Sequence, residues 1–393
     1  MHQGKYSKQA IEYANMALVS DVAPGGEAWV PTFEAHFAAF SGAKYAISVN
    51  SATSGIHASL LALGIGPGDE VISPGLTVIM DAYSTIYCGA TPVFADVDPL
   101  TWNILPAAVE SLITSKTKAI LAVSWFGHPT DLNALRRIAD KHQLPLIDDS
   151  AETMIMPQDQ DSDWSLPDIR VFSFESKKHF STGGEGGMVT TDDPDIATRI
   201  RKAAGIGYRH LGPDKGRTHL AARDFQSPAY LRFDAVGYNY RMTPVSAAIG
   251  LGQLENVGYF LGERKRVAEL LRLATEGFRS FTPQNPHVLH SYYTFAGKFE
   301  PDLVGGTSWQ EFYDKFTLAG GDGFYSNCMN PYLEPSLRGH SLGWQKFEPD
   351  LCPTAEALQG QIMAFKTNYL DFEKAEENAR ILNQTLNAVE GLN

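Results

Sequence analysis

Cysteine is scarce: Cys88, Cys328 and Cys352 are the whole complement of a 393-residue chain. None stands at CxxC spacing, which argues against a disulfide framework or a zinc ribbon and points to a reducing cytoplasm. Positive charge is short as well. With 32 Lys and Arg against 45 Asp and Glu, the formal net charge is -13, so no nucleic-acid partner is expected, because phosphate-backbone affinity needs clustered cations. No apolar run approaches the about 18 residues of a membrane span, and the opening MHQGKYSKQAIEYANM has no apolar signal core. Nothing in the chain is expected to enter a membrane. His128, His142, His179 and His210 are not spaced as HExxH or any compact ligand set, so no metal is expected.

What is present is an ordinary globular composition, 44% hydrophobic and 20% charged. The chain is too long for one core, since single cores stop growing at roughly 250–300 residues. We expect a large domain over 1–250, including the N-terminal segment, and a smaller C-terminal α/β domain over 251–393. Between about residues 44 and 195 short apolar runs recur: KYAISVN, EVISP, TPVFADVD, KAILAVSW, LPLIDD, RVFSF and GGMVTT. Helical stretches separate them, which reads as βαβ units and an α/β fold with a central, mostly parallel sheet. One of these stretches, 132–143, sets Leu132, Leu135, Ile138 and Ala139 on one face and leads into LPLIDD. Ligands of such folds gather at the C-terminal ends of the strands.

Three features carry chemistry. SFESKKHFSTGGEGG, from Ser173 to Gly187, puts Lys177 and Lys178 ahead of its glycines. That order is wrong for a Walker loop, in which the lysine follows; the glycines alone also suit a plain tight turn. LPLIDDSAE ends a buried strand in Asp148 and Asp149. One of the two could hold a protonated ring nitrogen, or both could cap a helix. In VNSATSGIHASLLALG, Ser51, Thr53 and Ser54 open an apolar helix, where free N–H groups and the dipole favour a phosphate, or where the hydroxyls simply cap.

In their order these segments resemble the DegT/DnrJ/EryC1/StrS aminotransferases, sugar aminotransferases of the aspartate-aminotransferase-like three-layer fold. The stretches NSATSGIHASLLALGIGPGDEVISPGLT, GATPVFADVD, GHPTDL, LPLIDDSAE, SFESKKHFSTGGEGGMVTTDD and VGYNYRMTPVSAAIGLGQLE carry the likeness. The resemblance implies pyridoxal 5'-phosphate as cofactor, with pyridoxamine 5'-phosphate between the half-reactions. It implies an amino-acid donor such as L-glutamate and a keto or aldehyde sugar as acceptor. The family's S-F-x-x-x-K pattern, counted from Ser173, makes Lys178 the lysine bound covalently to the cofactor and the mover of its proton. Lys177 is its rival. A reactive lysine needs its ammonium form disfavoured, which burial can supply. By the same likeness Asp149 holds the ring nitrogen, Thr53, Ser54 and Ser173 hold the phosphate, and Asn239 reaches the phosphate of a neighbouring subunit, implying a homodimer with shared sites.

Two positions depart from the family pattern. Glu152 stands where Gln or His usually meets the cofactor's phenolic oxygen, and Val78 stands where an aromatic ring usually covers the cofactor. An ionised Glu152 would repel a phenolate, so it is expected to be protonated, turned away, or to alter the titration. The segment 205–228 reads as a long polar loop shaping the site mouth, with Tyr208, Arg209, His210, Lys215 and Arg217. Arg209 or Arg241 is the candidate for a substrate carboxylate. Tyr292, Tyr293 and Tyr325 read as core or rim residues. The alternatives are a sugar dehydratase using the same cofactor, for which His179 would be the histidine to watch, and a catalytically inactive cofactor-binding regulator.

Overall fold

The computed structural model describes residues 4–156, 166–214, 221–287, 289–339 and 343–391; Lys215 and Arg217 lie outside them. In chain order the first part runs α1 (Lys8–Val19), α2 (Trp29–Ser41), β1 (Tyr45–Val49), α3 (Ala52–Ala62), β2 (Glu70–Pro74), α4 (Met80–Tyr87), β3 (Thr91–Ala95), α5 (Pro106–Leu112), β4 (Thr117–Val123), α6 (Leu132–His142), β5 (Leu146–Asp149), β6 (Ile169–Ser173), β7 (Gly187–Thr191) and α7 (Pro194–Ala204). The second part runs α8 (Ala222–Phe225), α9 (Pro244–Leu254), α10 (Val257–Ala274), β8 (Phe281–Pro283), β9 (Thr294–Phe299), α11 (Trp309–Leu318), α12 (Pro353–Gln359), β10 (Ile362–Lys366) and α13 (Phe372–Glu390). No helix among the described residues is long and apolar enough to cross a membrane.

Among the described residues seven strands form one sheet in the order β1-β7-β6-β5-β4-β2-β3. The block from β6 to β3 is parallel throughout. β7 runs antiparallel to both β6 and β1. Helices cover both faces, so the inner strands are buried without alternation: β2, β5, β6 and β7 are buried at every residue. α6 shows how sequence becomes geometry here. Asp131 caps it by accepting from the Ala134 N–H at 2.9 Å, Leu132, Leu135 and Ala139 turn inward, and Gln143 ends it in the left-handed region. The chain then enters β5 and delivers Asp148 and Asp149 to the C-terminal edge of the sheet.

A second, antiparallel sheet, β10-β9-β8, packs under α10, α11 and α13. α10 belongs to two cores. Its Val257 and Leu261 lie with Phe33, Phe37 and Phe174, whereas Val267, Ala268 and Leu271 lie with Phe281, Phe365 and Leu382. Between them, on the same buried face, sits Arg264. The C-terminal part also returns to the large sheet. The Gln345 side chain accepts from the Phe94 N–H at 2.7 Å and donates to the Phe94 carbonyl at 2.9 Å, which closes the outer edge of β3 against further strand pairing.

Candidate active site

Successive side chains of a strand point to opposite faces, and β5 uses this to separate its two acids. Asp148 turns to one face, where Arg170 Nε lies 3.3 Å away and the hydroxyls of Ser124 and Ser150 donate to it. Asp149 turns to the other. It is buried and accepts the Ala151 N–H at 2.8 Å, and its charge acts on the buried carboxyl of Asp81 on α4. Burial, reinforced by the charge of Asp148 and opposed by the Ala151 N–H and the Lys178 ammonium, pushes the Asp149 carboxyl up to about 6. Among the described residues this acid has no cation in hydrogen-bond contact, and it would gain from one.

The loop after β6 brings Lys178 toward it. Phe174 and Phe180 stack with ring centroids 4.7 Å apart, and the Thr182 N–H donates to the Phe174 carbonyl at 3.2 Å. The loop is thereby pinched shut with Lys178 at its crest. Lys178 Nζ lies 3.1 Å from Glu152 Oε1 and 4.3 Å from the centre of the Tyr293 ring. The other Glu152 oxygen accepts the Phe126 N–H at 3.0 Å. Burial opposes the ammonium, but Glu152 first, then Tyr293 and Asp149, outweigh it and hold Lys178 above the ordinary lysine range. Burial disfavours the ammonium as expected, and without the cofactor the Glu152 carboxylate outweighs it.

Lys178 and Tyr293 are held from behind by one buried guanidinium. Arg264 donates to the carbonyls of Lys177 and Lys178 at 2.9 and 2.8 Å, to that of Tyr293 at 2.8 Å, and to the Thr367 hydroxyl at 2.9 Å. Gly127 lets the chain carrying Tyr293 approach the Phe126 turn. It has φ of +96°, and a Cβ there would stand 2.8 Å from the Tyr293 nitrogen. His179, beside the lysine, is committed elsewhere. Its Nε2 lies 3.2 Å from the Ser291 carbonyl, and burial and then the Arg264 charge keep its ring neutral.

The α3 N-terminus closes the remaining side. Ser51 and Ser54 form a reciprocal capping box, and the Ser54 hydroxyl also reaches Asn50 Oδ1 at 2.6 Å. Thr53 sits half-buried in the first turn, its carbonyl taking the Ser84 hydroxyl of α4 at 3.3 Å. β7 begins against this turn: a Cβ on Gly187 would meet the Ala52 nitrogen at 2.8 Å. Ser173, at the end of β6, is buried and accepts the Glu175 N–H at 3.3 Å. Val78 is half-buried and packs with the large-sheet core.

The structure thus brings Asp149, Glu152 and Lys178 together, with Lys177 exposed outside the cluster. It does not bring the arginines in. Arg209 and Arg241 are exposed, and Arg241 lines a separate cavity of about 440 Å³ with Glu34, Arg201 and Tyr208. Asn239 is exposed as well, tied by its backbone to Gly205. Three residues of the site escaped the sequence reading: Asp81, Arg264 and Tyr293. Two of them had a signal. Asp81 is a lone acid in the apolar run TVIMDAYSTIY, and Arg264 falls on the apolar face of α10. Tyr293 had none.

The sequence profile of the DegT/DnrJ/EryC1/StrS aminotransferase family matches residues 5–305. The chain is 43% identical to a GDP-perosamine synthase of Caulobacter vibrioides over 239 residues, which is 61% of this chain and 60% of that protein. It is 34% identical to a GDP-perosamine synthase of Escherichia coli O157:H7 over 293 residues, 75% of this chain and 76% of that one. Its fold is similar to the crystal structure of an aminotransferase from Psychrobacter cryohalolentis, with a TM-score of 0.84 at 25% identity, covering 100% of this chain and 98% of that one. By the extent of the profile match and the order of its motifs, the chain belongs to the DegT/DnrJ/EryC1/StrS aminotransferase family.

Proposed function

We propose that the protein is a pyridoxal-phosphate-dependent aminotransferase that moves an amino group from an amino acid, L-glutamate in our reading, to a keto or aldehyde sugar. The observation that carries this is the buried meeting of Lys178, Glu152 and Asp149 at the strand ends. The residues fit the cofactor. Asp149 is a buried acid with no cation in hydrogen-bond contact among the described residues, which suits a protonated ring nitrogen. The first-turn N–H groups at Ala52 and Thr53, with the hydroxyls of Thr53 and Ser173, offer donors for its phosphate. The Ser51–Ser54 capping box spends those two side chains partly on the helix itself. The two GDP-perosamine synthases among its relatives support a sugar acceptor.

When bound, pyridoxal phosphate supplies an electron sink that acidifies the α-hydrogen of an attached amine. The protein supplies the rest. Lys178 anchors the cofactor and then carries a proton as general acid and base. To act as nucleophile it must first give up the proton that Glu152 holds on it. Glu152 is the nearest acceptor for that proton, so the departure from the family pattern has a use at this step. Tyr293 lies against the ammonium and limits where Nζ can swing. Val78 supplies an apolar wall in place of a stacked ring.

We take the chain to work as a cytoplasmic homodimer, with a large unit over 1–250, a small one over 251–393 and α10 leading from one to the other. The segment beside Asn239 supports the dimer: Leu231, Phe233 and Val236 are 71%, 53% and 93% exposed in the single chain, an apolar surface that a partner would cover. Sedimentation should give a dimer that Val236→Glu dissociates; a wild-type monomer at micromolar concentration would remove the idea that Asn239 serves a neighbouring site. The three unpaired cysteines suit a reducing compartment.

The decisive test is the absorption spectrum of the purified protein. A visible cofactor band that L-glutamate bleaches, that Lys177→Ala retains and Lys178→Ala alters, is the expected result, with turnover in Lys178→Ala lower by at least about 10²-fold. A band indifferent to every amino donor would sink the transaminase reading.

A further inference from the structure

Asn239 is flanked by two tyrosines that lean the same way. The Tyr238 and Tyr240 rings stack with centroids 5.1 Å apart and planes at 11°, so in this extended segment the side chain between them points to the other side, where Asn239 is exposed. The backbone is fixed on both sides of it. The Tyr238 and Tyr240 N–H groups donate to the Ala203 and Ala204 carbonyls at 2.6 and 2.9 Å, and the Ile206 N–H donates to the Tyr238 carbonyl at 2.9 Å. Both tyrosines face His57, a residue of α3 that is 2% exposed. Its Nδ1 lies 2.9 Å from the Tyr240 hydroxyl, and its ring meets that of Tyr238 edge to face at 4.9 Å. Nε2 has no hydrogen-bond partner among the described residues, so the Tyr240 hydroxyl is the one polar group this ring engages there. Burial holds the ring below the ordinary histidine range, and a neutral ring needs no counter-charge in this place.

Tyr240 is bonded to the start of α3 as well. Its carbonyl accepts the Asn50 N–H at 2.8 Å, and Asn50 Oδ1 in turn accepts the Ser54 hydroxyl at 2.6 Å. One tyrosine is thus tied twice to this helix region, by its backbone at the first turn and by its side chain at His57. We infer that His57 and Tyr240 are positioning residues: anchored on the helix that serves their own site, they present Asn239 to the site of the neighbouring subunit. This rests on the dimer with shared sites proposed above. Neither residue needs to touch the cofactor. An exposed asparagine on a loose segment would have to be ordered at each binding event, at a cost in conformational entropy; here the segment is ordered before the neighbour engages it. The inference has a direction, because the pair acts on the site of the subunit that does not contain it.

That direction makes the test sharp. Tyr240→Phe keeps the stacked ring and removes only the hydroxyl. Hybrid dimers carrying Lys178→Ala on one subunit leave a single site that can bind pyridoxal phosphate covalently, and titration followed through the visible band of the bound form reads that site alone. With Tyr240→Phe on the Lys178→Ala subunit, affinity should fall about fivefold, the worth of one hydrogen bond. With Tyr240→Phe on the subunit that keeps Lys178, affinity should match that of the hybrid carrying Lys178→Ala alone. His57→Leu should give the same asymmetry. The reverse asymmetry, or equal loss in both arrangements, would mean that the pair only supports α3 of its own chain and would overturn the inference, as would no loss in either. Asn239→Ala in the same hybrids tests the reading beneath. If it acts across the dimer and Tyr240→Phe does not, the positioning role alone fails; if Asn239→Ala has no effect across the dimer, or the wild type is a monomer, the shared site fails and the inference with it.

Discussion

Two buried side-chain pairs lie within electrostatic reach of one another in this site, and they follow opposite rules. Lys178 and Glu152 are of opposite charge, so their attraction overcomes the cost of burial and the ammonium is kept. Asp149 and Asp81 are of like charge, so burial and repulsion act together and both carboxyls are pushed up. The same desolvation is outweighed in one case and reinforced in the other. Burial alone therefore does not decide ionisation here; the partner does. The two pairs are also anchored differently. Asp149 sits on a central strand, whereas Lys178 sits on a loop and depends on Arg264 to hold its backbone.

That dependence gives the largest effect. Arg264→Met keeps the apolar stem of the side chain but removes the guanidinium, leaving the carbonyls of Lys177, Lys178 and Tyr293 without their donor. Loss of buried charged hydrogen bonds costs on the order of 3 kcal/mol, so chemical denaturation should show a clear drop in stability. The comparison sharpens if the lysine pair is disturbed and the aspartate pair is not. Labelling of Lys178 should change its pH profile in Arg264→Met, because the loop that sets its distance to Glu152 has lost its donor. A variant with wild-type lysine labelling would mean that Arg264 only holds two cores together.

What was legible in the sequence follows the same division. Residues whose role depends on near neighbours could be read. The strand run LPLIDD and the amphipathic face of 132–143 predict β5 and α6 closely, because periodicity is local. The Ser173-to-Gly187 motif and the Asp148–Asp149 strand end narrowed the chemistry to two lysines and two acids; only the family resemblance singled out Lys178, Asp149 and Glu152, and Lys178 lies 3.1 Å from Glu152 in the structure. Partners from distant elements could not be read. Asp81 meets Asp149 only because α4 packs beside the strand ends, and Tyr293 reaches Lys178 only because Gly127 admits its backbone. The antiparallel course of β7 was equally hidden, since an apolar strand looks the same in either direction. Nor does a glutamine in SLGWQKF announce that Gln345 will cap the edge of β3.

The smaller effect concerns the opposite-charge pair alone. Glu152→Gln preserves shape and can still accept the Phe126 N–H, but it removes the charge that outweighs burial at Lys178. The lysine should then fall below its ordinary range, with its ionisation constant changed at least roughly tenfold. Acetylation of the cofactor-free protein, read by mass spectrometry, should label Lys178 at lower pH in the variant than in the wild type. Stability must follow with a definite sign. In the wild type the folded state holds the Lys178 proton more tightly than the unfolded chain, so this contribution is full below the unfolded value and is lost as pH rises through the higher folded one. In Glu152→Gln the folded state holds that proton less tightly, so the contribution reverses. The variant should gain stability as pH rises from neutrality toward the unfolded lysine value of about 10.4, where the wild type gains none from this group. Parallel pH curves for the two proteins would mean that burial and Tyr293, not Glu152, set the state of Lys178, and the contrast between the two pairs would lose its cause.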